Sequence, residues 1–250
     1  MRTFGSRMGC TKDGSRPADI KSVRAAICLI IGSLYLQPAL AQGPNATQVL
    51  QKVTETYLGA TAWNFVGTVT AIVHGASVSR LVVSAGERGG KLRSELRVPG
   101  SLDGSSIIIV DGTNVWVYSP KHNQYTKKAI SDEPTGFMQY FKAPLFVYLT
   151  DADEMKTARL LREETIEVDG RPTACFVIEV HRSRPPATTT WWVDKNRFVV
   201  LRDDQAGGLD ASVGPSRTVW ITSKVNEPAP YGLFNFTPPP GARQVERIDP

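Results

Sequence analysis

Between Lys91 and Val98 the residues Leu92, Ser94, Leu96 and Val98 alternate with Lys91, Arg93, Glu95 and Arg97. A period of two places one face on a core and the other in water, the signature of an antiparallel strand covered on one side. Ile107 to Val110 abandons the alternation for four consecutive apolar residues. That strand needs cover on both faces. Upstream the period is longer: Val49, Val53 and Tyr57 recur every fourth residue, with Leu50 beside them. Asn45 is a good N-cap with Gln48 three positions on, and Gly59 is placed to take a left-handed conformation at the end. The pattern predicts one amphipathic helix there.

Turn signals follow at hairpin spacing. Asp111-Gly112, Pro120-Lys121-His122-Asn123, Asp169-Gly170 and Asp194-Lys195-Asn196 each separate two runs of strand character, as hairpin loops do. Trp63 to Val73, Val78 to Ala85 and Arg217 to Val225 are further strands, and Thr157–Val168, Thr173–Arg182, Thr188–Val193 and Arg197–Arg202 are paired across turns. About ten or eleven strands in meander order are predicted, without the βαβ alternation of a doubly wound sheet. One segment interrupts them: residues 135–149 hold Phe137, Tyr140, Phe141, Phe146 and Tyr148, with Pro144 breaking any long helix. These aromatics either plug a barrel end as ordinary core or form an apolar lid over a cavity.

A twisted sheet of this width curls or closes, and beyond about eight strands it can enclose more than its own side chains fill. The fold class expected is therefore mainly β with two or three helices, an incomplete antiparallel β-barrel covered by helices around an apolar cavity. Phe65, Leu96, Trp116, Tyr118, Phe176, Ile178 and Trp192 are candidate cavity residues, with Phe137, Tyr140, Phe141, Phe146 and Tyr148 from the interrupting segment. Periodicity leaves open which parity of each strand faces inward. A ligand of such a cavity would be an acyl chain or similar lipid, since burying hydrocarbon contributes roughly 0.8 kcal/mol per CH₂.

The N-terminal region has another character. Arg2, Arg7, Lys12, Arg16, Lys21 and Arg24 precede an apolar run from Ala25 to Leu36, and Ala39-Leu40-Ala41 supplies a small-x-small pattern. Residues 1–41 read as a cleavable signal peptide and residues 42–250 as one exported, periplasmic domain. The apolar run is well short of the roughly 20 residues that span a bilayer. Cys28 is preceded by Ile27, where lipidation would want a small residue. Without the leader, 23 Lys and Arg face 22 Asp and Glu, so no positive field remains to attract nucleic acid. Cys175 is then the lone thiol, no internal disulfide can form, and a monomer is expected.

Chemistry is sparse. Acid–base or nucleophilic catalysis needs a nucleophile, a base and an orienting group together. His122 sits in a turn and His74 beyond a strand, and His181 shares a strand with Cys175 but about 20 Å along it. No His/Cys pattern has zinc spacing, no phosphate- or dinucleotide-binding glycine motif appears, and no cofactor is expected. Asp151, Asp153 and Glu154 imitate a calcium loop without its glycine and closing glutamate, and read as a solvated loop. Glu163-Glu164 reads as an exposed edge, and Pro238-Pro239-Pro240 as a stiff corner after the last strand. No enzyme is expected.

Three segments resemble the periplasmic outer-membrane lipoprotein carriers of the LolA/LolB-like superfamily. Asp111 to Pro120 (DGTNVWVYSP) is similar to that family's turn, short aromatic strand and proline-bearing turn. Leu233 to Ala242 (LFNFTPPPGA) is similar to its closing strand and proline corner, and Trp192-Val193-Asp194-Lys195 to a segment before a late hairpin. With the leader and opening helix, the resemblance covers nearly all of residues 45–247. It implies a half-barrel whose cavity takes lipoprotein acyl chains or other lipid for sorting to the outer membrane, with an inner-membrane releasing complex and an outer-membrane acceptor as partners. The superfamily also holds sensors, so a periplasmic lipid or lipoprotein sensor acting through protein contacts is the alternative. The chain departs from the family at Glu87-Arg88-Gly89-Gly90-Lys91, where an Arg-Pro pair is frequent. Arg88 and Arg93 are the candidates for the family's lid-holding arginine.

Overall fold

The computed structural model describes residues 43–132, 147–183, 186–207 and 213–248. Helix α1 spans Ala46–Leu58 and starts on a reciprocal cap. Asn45 Oδ1 accepts from the Gln48 amide, and Gln48 Oε1 accepts from the Asn45 amide, both at 2.9 Å. Its apolar stripe of Ala46, Val49, Leu50, Val53 and Tyr57 is buried. The helix ends on Gly59 at φ −76°, so the expected left-handed conformation is absent. The residue is small because space is short: a Cβ would lie 3.0 Å from the Glu55 carbonyl oxygen.

Among the described residues twelve strands form one sheet. They are β1 (Ala62–Val73), β2 (Ala76–Glu87), β3 (Lys91–Val98), β4 (Ser101–Asp111), β5 (Asn114–Ser119), β6 (Gln124–Ala129), β7 (Arg159–Val168), β8 (Arg171–Ser183), β9 (Pro186–Asp194), β10 (Val200–Gln205), β11 (Val213–Val225) and β12 (Arg243–Gln244). Their order is β12-β6-β5-β4-β3-β2-β1-β11-β10-β9-β8-β7. Two meanders are thus joined where β1 pairs with β11. Among the described residues only β12 runs parallel to its neighbour, β6. The sheet does not close on itself, and with its helices it is an incomplete β-barrel.

Four local differences from the sequence expectations have physical causes. The strand count rises to twelve because β12 adds two residues after the proline corner. Asp151, expected in a solvated loop, caps helix α2 (Ala152–Thr157), accepting from the amides of Asp153 and Glu154. Glu154 is itself buried and ion-paired with Arg182 at 3.2 Å. Strand β10 begins at Val200 rather than at Arg197, since Arg197 is held by Asp194 Oδ2 at 2.7 Å and by the Ser223 carbonyl at 2.8 Å. The hairpin turns otherwise sit where their residues call for them, with Asp169 and Gly170 at φ 52° and 69°, as a type I′ loop requires.

Two glycines fix how the halves of the sheet pack. Gly86 lies opposite Trp63, and a Cβ on it would fall 2.2 Å from the indole. Gly67 sits at a bulge against β11, where a Cβ would come within 2.5 Å of the Val219 carbonyl oxygen and 2.6 Å of the Trp220 ring.

Candidate functional site

Register and α1 together define the two faces. Tyr57 of α1 lies 6.1 Å from the Phe65 ring, so the face of Phe65 is the inner one. Directly paired residues share a face, and the face alternates along each strand. The inner face is traced by Trp63 and Phe65 through Val82, Ser84 and Gly86 of β2, Leu92 and Leu96 of β3, Ile108 and Val110 of β4, to Val115 and Val117 of β5. In the other direction it runs through Trp220 and Thr218 of β11, Asp203 of β10, Thr189 and Trp191 of β9, to Ile178 and Val180 of β8.

Part of this face is closed by an aromatic cluster. Tyr57 stacks on Tyr148 at 5.8 Å, Tyr148 meets Trp191 edge-on at 5.3 Å, and Phe65 meets Trp220 at 5.5 Å. Each phenol is satisfied: the Val200 amide donates to Tyr57 Oη, and Trp220 Nε1 donates to Tyr148 Oη, both at 2.9 Å. Burial pushes both phenols well above their ordinary range. On the β2–β5 side Val82, Leu96, Ile108 and Val117 are half-buried.

Beside the cluster lies a pocket of about 260 Å³, lined by Val147, Arg182, Ala187, Thr189, Trp191, Asp203 and Gln205. Its wall is mainly apolar with a few converging polar groups, the composition of ligand sites. The Asp203 carboxyl is pushed up to about 6, first by burial and further by its neighbour Asp204, with the Thr189 hydroxyl bond and Arg182 pulling the other way. Arg182 donates to Glu154 Oε1 and to the Val147 carbonyl, and its guanidinium stands 5.8 Å from the Trp191 ring centre. The Trp191 indole N–H is buried and without a partner among the described residues. A hollow of about 450 Å³ lies elsewhere, at the β3–β4 hairpin tip between Leu102, Ile107 and Pro120. It lacks any such buried polar group.

The sequence candidates divide between the faces. Phe65, Leu96, Phe176, Ile178 and Tyr148 are on the inner side. Trp116 and Tyr118 are on the outer face, where Trp116 pairs with outward Ile109 and packs against Phe236 at 5.3 Å. Tyr118 lies 5.9 Å from the same Phe236. Residues 233–236 therefore run over the outer face instead of forming a closing strand. Trp116 Nε1 also donates to Asp111 Oδ2 at 2.9 Å. Burial alone would raise the Asp111 carboxyl, but this bond and those from Asn114 and Thr113 hold it near about 2. Trp192 is likewise outward, under the Arg202 guanidinium at 4.0 Å. Phe137, Tyr140, Phe141 and Phe146 lie outside the described residues. Arg88 is an exposed turn residue, and Arg93 is on the outer face, bonded to the Leu233 carbonyl at 3.0 Å. The arginine that lines the inner pocket is Arg182, which sequence reasoning missed with Thr189, Trp191, Asp203 and Gln205. The available signal was their shared parity across three paired strands.

Cys175 and His181, both weighed from sequence for catalysis, are each held by other partners. Cys175 is buried on the outer side, and burial, with Asp194 and Glu164 nearby, pushes its thiol up to about 12. A thiol so protonated is a poor nucleophile. His181 is engaged by Thr188 and Glu179, each at 3.2 Å. Among the described residues no group of three His, Cys, Asp or Glu side chains could hold a metal ion.

No family model matches the sequence. The chain is 24% identical over 219 residues to an uncharacterized protein of Methanocaldococcus jannaschii, covering 87% of this chain and 58% of that protein. The chain thus spans little more than half the length of that relative. Among solved structures it is similar to an uncharacterized conserved protein of Thermus thermophilus, at 19% identity and TM-score 0.45, over 81% of this chain and 99% of the other. It is also similar to the MucA/MucB complex structure of Pseudomonas aeruginosa, at 15% identity and TM-score 0.42, over 77% and 61%. A LolA superfamily protein of Nitrosomonas europaea matches at 14% identity and TM-score 0.31, over 77% and 98%.

Proposed function

We propose that this chain is a periplasmic carrier that binds lipoprotein acyl chains or other lipid on the inner face of its open sheet and works by binding and release. The observation that carries the reading is the inner pocket, floored by Trp191 and mainly apolar, on a face whose Val82, Leu96, Ile108 and Val117 are only half-buried. Hydrocarbon laid on such a face gains roughly 0.8 kcal/mol per CH₂ without a directional partner. The basic, apolar and small-x-small order of residues 1–41 supports export, with sorting to the outer membrane as the task and releasing and accepting proteins as partners. The chain acts as a monomer in this reading.

Native mass spectrometry of protein purified from a periplasmic extract tests it. A co-purifying acylated protein or lipid is the expected result. Ligand-free protein that also takes up no added acyl probe would sink the proposal, and a stable protein partner with no lipid would favour a sensor.

A further inference from the structure

The inner pocket has a charge pattern that bears on which acyl ligand it takes. Arg182 from β8 is matched by Glu154 from α2. On β10, Asp204 points to the outer side, where Arg202 and Arg217 hold it. Asp203 is left facing the pocket with the Thr189 hydroxyl as its hydrogen-bond donor. The phenol of Tyr148 is near enough for its own titration to feel Asp203, and Gln205 completes that wall. With Asp203 ionised, these inward groups sum to one negative charge, and with it protonated, to none. The Trp191 indole N–H meanwhile lacks an acceptor among the described residues.

Building on the acyl-binding reading, we propose that this pocket seats the polar end of a neutral acyl ligand carrying a hydroxyl or amide N–H, and rejects the anion of a free fatty acid. The ligand's O–H or N–H donates to the Asp203 carboxylate. A fatty-acid anion places a second negative charge beside Asp203, where screening is weak. Its hydrocarbon could still lie on the inner face, so chain length does not discriminate between the two ligands. Head chemistry does.

The test is displacement of a fluorescent acyl probe by 1-monolauroylglycerol and by laurate, which share a chain. At about pH 7.5 the full chain is expected to prefer the glycerol ester by about tenfold or more. The Asp203→Asn variant should narrow that ratio to about threefold or less. Lowering the pH to about 5 should narrow it more in the unaltered protein than in Asp203→Asn, because Asp203 then carries a proton, whereas protonation of laurate itself acts on both alike. Laurate competing as well as the ester at about pH 7.5, or a ratio indifferent to Asp203→Asn, overturns the pocket assignment while leaving acyl binding intact. Displacement by neither compound overturns both.

Discussion

Asp203 is held in the fold at a cost that pH exposes. Its carboxyl is raised from 3.8 to about 6, so between those values the folded chain binds more protons than the unfolded one. Stability then falls as pH rises through that window and levels off above it. The full effect is roughly 3 kcal/mol at most for a shift of this size. Urea unfolding midpoints between about pH 4 and 7 should decline more for the unaltered protein than for Asp203→Asn, whose profile should be flatter. Parallel profiles would mean that Asp203 is not desolvated. Asp111 acts in the opposite sense and in a lower window, since its lowered carboxyl is stabilising until acid reaches it. A second residue-scale prediction concerns Gly86. With the Trp63 indole 2.2 Å from where a Cβ would stand, Gly86→Ala should destabilise by about 1–3 kcal/mol, read from the same unfolding curves.

At the scale of elements, helix α1 docks through one shared bond as well as its apolar stripe. Val200, the first residue of β10, gives its amide proton to Tyr57 Oη. Tyr57→Phe keeps the ring and strands that amide, so a loss of about 1–3 kcal/mol is expected. Hydrogen exchange at the Val200 amide should speed up with it. Unchanged exchange would show that the bond contributes nothing.

The sequence made α1 and most strands legible, because a single apolar stripe and strict alternation each have one physical solution. It failed where both faces of a strand are apolar. Ile107 to Val110 offers no parity, so β5 beside it inherited none, and Trp116 and Tyr118 were expected inward. What turns them outward is Phe236, more than a hundred residues along the chain. The pocket was hidden for a related reason. Arg182, Asp203 and Gln205 each look like an ordinary strand polar residue until cross-strand register places them together.

For the whole molecule, the two faces should respond differently to substitution. Ile108→Glu sets a charge on the inner face and is expected to abolish uptake of an acyl probe in a protein that still folds. Phe236→Ala uncovers Trp116 and Tyr118, so the chain should lose roughly 1–3 kcal/mol and shift its tryptophan emission to the red. Uptake should survive. If instead the outer substitution stops uptake and the inner one spares it, the faces have been assigned backwards.

The ends of the sheet, β7 and β12, are each paired on one side only. A sealed cylinder fixes its girth, since widening it means parting a ladder somewhere. An open sheet has no such constraint, since the twist between neighbouring strands can vary by a few degrees with every ladder intact. If the chain carries lipid as proposed, such a sheet can grip acyl chains of unequal thickness, and its selectivity must then come from the chemistry of its walls.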